Sequence, residues 1–178
     1  MADSSKLVPF ILSWETDKYT NNKYDKGGPT KYGITLATWR RVGYDKNGDG
    51  VLNEEDVKLL TEEDFHRVFK QNYWNACKAD QIQDQSVANM LVDFAYNSGV
   101  SKAVKHLQLV LGITADGIIG NKTLFAINKS NGKRLFEAFK KDRKAYLKRI
   151  AVGDQKVHLK GWLRRLSYIN YGNLKLNE

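Results

Sequence analysis

Apolar residues recur along this chain at helical rather than strand spacing. Leu7, Phe10, Ile11 and Trp14 fall at i, i+3, i+4 and i+7, one stripe of a first helix that Ser4 or Ser5 can cap. A Gly- and Asn-rich stretch, residues 20–35, interrupts the pattern. Its Gly27-Gly28 pair and Tyr32 allow a small hairpin over 20–34. Helical spacing resumes over 36–43 and again from Glu54 to Leu60. The sequence TEED at 61–64 is a capping-box-like start to a helix reaching about Asn75. Val87, Met90, Leu91, Phe94 and Ala95 share a face of the next helix, which Ser86 starts and Gly99 stops. Ser101 caps another, ended by Gly112. TADGIIGNKT then leads into a short helix near 122–128, and residues 133–151 and 158–170 predict two long basic helices. With only two Pro, no internal repeat and no low-complexity linker, the chain reads as mainly α.

Composition narrows the class. A length of 178 residues with 42% apolar content and four Trp suits one well-cored domain or two small lobes. No run of eighteen apolar residues occurs, so no membrane span is expected. The start, MADSSKLVPFILSW, does not read as a signal peptide. Cys77 is the single cysteine and reads as a small core residue. Trp39, Trp74 and Trp162 read as packing residues. The net charge is +9, concentrated late: Lys133, Arg134, Lys140, Lys141, Arg143, Lys144, Lys148, Arg149, Lys156, Lys160, Arg164 and Arg165. Such a surface favours a polyanion, either nucleic acid or a carboxylate-rich cell wall, or is simply the solvated face of long helices.

One motif stands out. In DKNGDGVLNEED, residues 45–56, Asp45, Asn47 and Asp49 fill positions one, three and five of an EF-hand-type loop. Gly50 makes the sharp turn, Val51 offers its carbonyl, and Asp56 closes the loop where Glu is usual. The order DxNxDGxxNxxD resembles dockerin-type calcium loops. A polar Asx-turn loop needing no metal is the plain alternative. No second copy is present, so a paired calmodulin-like sensor is excluded, and Ca2+ is expected as a structural ion rather than for catalysis.

Chemistry has few other places to be. His66, His106 and His158 lack zinc spacing, and there is no GxSxG elbow or phosphate-cradling loop. Glu15 lies at the edge of the first apolar stripe, directly after Trp14 and at the end of its helix. Partial burial and the helix dipole both raise a carboxyl pKa there, as a general acid requires. From spacing alone, an ordinary boundary glutamate is the better reading. The segment that follows adds Asp25, Gly27-Gly28 and Thr30, a layout found in many helical lysozymes, where an acid ends the first helix and a second carboxylate sits on the adjoining β-loop. Tyr96 and Asn97 end the 86–98 helix. Asn89, Asp93 and Asn97 share a face, read either as structural hydrogen-bonders or as sugar contacts.

Three segments, WETDKYTN (14–21), KGGPTKYGIT (26–35) and DFAYNSGVSKAVKHLQLVLGITADGIIGNKT (93–123), resemble those of glycoside hydrolase family 108. These are bacterial and phage N-acetylmuramidases, also called secretion activator proteins. The resemblance covers about residues 7–170. It implies a lysozyme-like helical fold with the EF-hand-like loop as an insertion. A catalytic region is expected over 7–98 and a peptidoglycan-binding-like helical region over 99–173. It carries the essential acid onto Glu15. One departure stands out: the family's Gly-Gly after the Glu is replaced by Thr16, Asp17 and Lys18, one residue more before Tyr19.

The expected activity is cleavage of the MurNAc–GlcNAc β-1,4 bond, with Asp25 or Thr30 holding water and Tyr32, Tyr96 and Asn97 binding sugar. Lytic transglycosylase chemistry and non-catalytic cell-wall binding are the alternatives. Peptidoglycan is the expected partner and nucleic acid is not, since no recognition motif is present. Without a signal peptide, the chain is expected to be made in the cytoplasm and to reach the periplasm or cell wall through a holin or export machinery.

Overall fold

The computed structural model describes residues 1–15, 17–21 and 28–178. The chain is mainly helical. A 3-10 turn, Ser4–Lys6, leads into α1, Val8–Trp14. The cap is Asp3, whose carboxylate accepts the Ser5 N–H, rather than Ser4 or Ser5. A carboxylate is the stronger acceptor at a helix start, where the dipole also favours negative charge. The α1 stripe is buried as expected, with Leu7, Phe10 and Ile11 wholly enclosed.

The interrupted stretch does form a hairpin, while the Gly27-Gly28 turn read from the sequence falls partly outside the described residues. Strands β1 (Thr30–Lys31) and β2 (Ile34–Thr35) pair antiparallel around Tyr32 and Gly33. Both turn residues have positive φ, 52° and 70°, the conformation of a type I′ turn whose twist matches the strands. Thr20 bridges back to Thr30. Thr35 then caps α2, Leu36–Val42.

The 45–56 loop closes on itself. Both Asp45 oxygens accept backbone N–H groups, from Gly48 and Gly50, each at 2.7 Å. Asp49 accepts from Val51 N–H and from the Asn47 and Asn53 side chains. Asp56 is fully buried; its two oxygens take the Lys46 and Asn53 N–H groups and complete a capping box on α3, Glu54–Lys58. These bonds hold the Asp49 and Asp56 carboxyls below their ordinary pKa. Among the described residues, no three Asp, Glu, His or Cys side chains gather as a metal-ready group. α3 braces the hairpin: Glu54 accepts from Tyr19 and Asn21, and Lys31 Nζ reaches the Lys58 carbonyl.

Thr61 and Asp64 form the expected capping box of α4, Glu62–Phe69, which runs on into a π turn, Lys70–Trp74. α5, Gln85–Ser98, is the core. Every residue from Ser86 to Ala95 is buried, so it is covered all round, as such a helix must be. Asp84, not Ser86, caps it, and Gly99 stops it. α6, Val100–Val110, starts at Gly99 without the side-chain cap expected from Ser101. The TADGIIGNKT loop wraps the buried Gln108, whose amide binds Asp116, the Ile118 carbonyl, Thr123 and the Gly117 N–H. That motif is spent on holding its own turn. α7 (Asn121–Lys129), α8 (Gly132–Ile150) and α9 (Leu159–Tyr168) follow. A second small hairpin, β3 (Ile169–Asn170) with β4 (Asn173–Leu174), was not anticipated. The tail then returns to α1, where Asn177 bonds Ser13. Trp39, Trp74 and Cys77 lie in the core; burial pushes the Cys77 thiol up to about 12.

Candidate active site

Glu15 is the residue that ends α1, its backbone already extended and its N–H still bonded to the Ile11 and Leu12 carbonyls. The helix thus fixes its position while the side chain leaves the helix axis. Arg165, from α9, donates through Nη1 to Glu15 Oε1 at 3.0 Å. Glu15 Oε2 faces the hairpin: a Cβ added to Gly33 would lie 2.8 Å from it and 2.2 Å from the Tyr96 hydroxyl. Only glycine fits there, on grounds of both space and φ. The Tyr96 hydroxyl itself donates to the Tyr32 carbonyl at 3.2 Å. The type I′ turn, the end of α1 and the end of α5 therefore converge on one carboxyl oxygen.

A buried charge network stands behind Glu15. Asp93, in the middle of α5, has no exposed side-chain surface. Arg165 grips its Oδ1 through Nε at 3.0 Å and Nη2 at 2.8 Å, and Arg143 Nη2 lies 2.7 Å from its Oδ2. Two guanidinium groups and two carboxylates thus share the interior. Arg165 divides its donors, giving Nε and Nη2 to Asp93 and Nη1 to Glu15. Burial raises the Glu15 pKa; Arg165 opposes it and the Asp93 charge adds to it, with the net direction upward. Asp93 goes the other way, its two arginines outweighing burial and holding it low. The two carboxyls are thus shifted in opposite directions, Glu15 up and Asp93 down.

Aromatic rings wall the site. Tyr96 packs on Tyr73 at 4.9 Å between centroids and on Phe69 at 6.1 Å. Tyr73 comes from the π turn, a local widening often found at functional positions. Burial raises the pKa of both tyrosines, so both stay neutral hydrogen-bonding groups.

The expected residues divide. Glu15, Tyr96 and the Tyr32 backbone come together. Thr30 gives its hydroxyl to the Gly28 carbonyl, inside the hairpin. Asn97 is exposed and donates back to the Asp93 carbonyl of its own helix. Asp25 lies outside the described residues. Arg143 and Arg165 are a correction to the basic-surface reading: both are buried, at 3% and 9% exposure. Lys140, too, is turned inward to the Ile169 carbonyl. The signal for the arginines was present. Arg143 falls four after Phe139 and three before Tyr146, on the apolar stripe of α8, and an Asp in the middle of an apolar helix requires buried cations.

Comparison with known proteins agrees with this geometry. Residues 8–99 match the family described as Glycosyl hydrolase 108, and residues 102–167 match the one described as Predicted Peptidoglycan domain. Among solved structures the chain is similar to Brucella abortus SagA, with 34% identity, 93% of this chain and 90% of that chain covered, and a TM-score of 0.77. No curated protein matches it. The mainly α, lysozyme-like helical fold follows. Glu15 and Asp93 fall in the first matched segment, and Arg143 and Arg165 in the second. By the extent of these matches, the chain belongs to the glycosyl hydrolase 108 family, with a peptidoglycan-directed segment folded onto its hydrolase segment.

Proposed function

We propose that this glycoside hydrolase is an N-acetylmuramidase, cleaving the β-1,4 bond from N-acetylmuramic acid to N-acetylglucosamine with Glu15 as the general acid. The observation that carries the reading is the split at Glu15: Oε1 is tethered by Arg165 while burial raises the pKa. A protonated Oε2 donates to the glycosidic oxygen as the bond from that oxygen to C1 breaks. The leaving sugar departs as the alcohol, the carboxylate remains, and water adds to the oxocarbenium-like centre. Asp93 is no nucleophile, since it is enclosed and ion-paired. For the group that handles water we propose Asp25, from its place in the sequence after Glu15. Tyr96 and Tyr32 are proposed to line the sugar subsite. We place the action at the cell wall or periplasm, which calls for an exit route such as a holin or export machinery; among the described residues no helix is long and apolar enough to cross a membrane.

A single acid also suits a lytic transglycosylase, where the muramic acid 6-hydroxyl replaces water. One experiment separates the readings: reducing-end release from purified peptidoglycan with product masses, for the native protein and Glu15→Gln. A muramidase gives reducing products and loses about 10²–10⁴-fold in rate on Glu15→Gln. Anhydro products would mean transglycosylation. No release by the native protein, with wall binding retained, would leave a binding protein of the same fold.

For the 45–56 loop we propose Ca2+ as a structural ion held by Asp45, Asn47, Asp49, Asp56 and the Val51 carbonyl. Donor order supports it. The loop's own hydrogen bonds support the ion-free alternative equally, so the test is metal removal.

A further inference from the structure

Beyond the Glu15 site, a recess of about 650 Å³ opens where α6 begins and α8 ends. Its wall carries Gly99, Lys102, Lys105, His106, Leu109 and Arg149, and no carboxylate lines it. The cations are not loose. Lys102 Nζ and Arg149 stand 5.5 and 5.8 Å from the centroid of the Tyr146 ring, which is itself buried. His106 is fixed by Asp142 at 2.6 Å and packs edge-on against the same tyrosine. Leu109, 62% exposed, supplies an apolar ridge beside them.

This combination selects among ligands. A glycan strand presents hydroxyl and acetamido groups and is usually met by exposed aromatic platforms; this recess exposes none. Three exposed cations beside an alkyl ridge suit a short anionic peptide with aliphatic side chains. The volume is that of a small-ligand site, enough for a few residues and not for a nucleic acid duplex. The stem peptide of peptidoglycan has this chemistry: free carboxylates interspersed with alanine methyl groups. Gly99 in the wall is also only three residues beyond Tyr96, roughly one turn of helix rise. We infer that this recess is a docking site for the carboxylate-bearing stem peptide of peptidoglycan, placed to hold the peptide of a strand whose sugars enter the Glu15 site. The inference rests on peptidoglycan being the substrate and names the part of it that the second matched segment recognises.

The test uses the full chain and a soluble stem tetrapeptide with free carboxylates, titrated calorimetrically at low and raised salt. Its fully amidated form and a single-stranded DNA oligomer of equal charge are the comparisons. The variant is Lys105→Glu with Arg149→Glu, both exposed, so the fold is retained. The tetrapeptide is expected to bind in a salt-sensitive way, and to bind at least about tenfold more weakly to the variant or after amidation. The variant is expected to cleave peptide-free glycan strands like the native protein but to lose rate on intact sacculi. Equal binding of the amidated peptide, no effect of the double substitution, or tighter binding of DNA than of tetrapeptide would each overturn the proposal. Failure of the native protein to cleave either peptide-free glycan or intact sacculi, with charge-dependent tetrapeptide binding intact, would instead remove the hydrolase reading and leave the recess standing.

Discussion

Replacing Gly33 by Ala adds one methyl group where three elements meet. Its φ of +70° costs an L-residue about 1–2 kcal/mol before any contact is considered. The new Cβ would then sit 2.2 Å from the Tyr96 hydroxyl and 2.8 Å from Glu15 Oε2, where ordinary contact begins at 3.4 Å. The hydroxyl must retreat by about 1.2 Å and the carboxyl by about 0.6 Å. Tyr96 has little room, being wedged against Phe65, Phe69 and Tyr73, and its bond to the Tyr32 carbonyl is lost. Strain, overpacking and the lost bond together predict a destabilisation of about 2–5 kcal/mol. Moving a positioned acid by that much predicts a rate loss of about 10–100-fold. Gly112→Ala is the control: its φ is +68° but nothing lies within 4 Å, so it incurs the backbone strain alone and keeps the rate. The assay is dye release from labelled peptidoglycan, run well below each variant's melting temperature. A Gly33→Ala protein that melts and cleaves like its parent would refute the placement of Glu15 against this turn.

Other outcomes follow from the charge network. Asp93→Asn leaves two buried guanidinium groups short of an anion and is expected to cost about 3–5 kcal/mol in thermal or urea unfolding. It also frees Arg165 for Glu15, so the alkaline limb of kcat/KM moves to lower pH; Arg165→Met moves it to higher pH, and a limb unmoved in both variants would exclude Glu15 as the titrating acid. Asp93, its folded pKa depressed, contributes stability above its unfolded pKa that is lost as pH falls through the folded value. Glu15, its folded pKa raised, has the opposite sign, so Glu15→Gln is expected to leave the melting temperature at neutral pH unchanged or higher while activity disappears. For the 45–56 loop, adding Ca2+ after chelation is expected to raise the melting temperature in a concentration-dependent way; identical melting with chelator and with Ca2+ would show a loop closed by its own hydrogen bonds.

The helices were legible because their stripes are clean, as in Leu7 to Trp14 and Val87 to Ala95. Caps were misplaced where a serine competed with a nearby aspartate: Asp3 and Asp84 won over Ser4, Ser5 and Ser86. Glu15 could be placed at a helix end, but not its tether, because Arg165 is 150 positions away and pairing at that distance leaves no local periodicity. Both arginines were read as surface charge because a long cationic side chain looks alike in sequence whether it snorkels outward or meets a buried acid. Gly33 was visible as part of a motif, but its reason, the closeness of Tyr96 and Glu15, is purely tertiary.

The tether from α9 to α1 also bears on how the enzyme comes into being. The ribosome delivers Glu15 150 positions before Arg165, and Ser13 well before its partner Asn177. Until α9 docks, Asp93 lacks one cation and Glu15 lacks its orienting partner, so a nascent or clipped chain holds the acid without the setting that directs it. Under the proposed mechanism, competence therefore waits on α9 and is lost when α9 is clipped away.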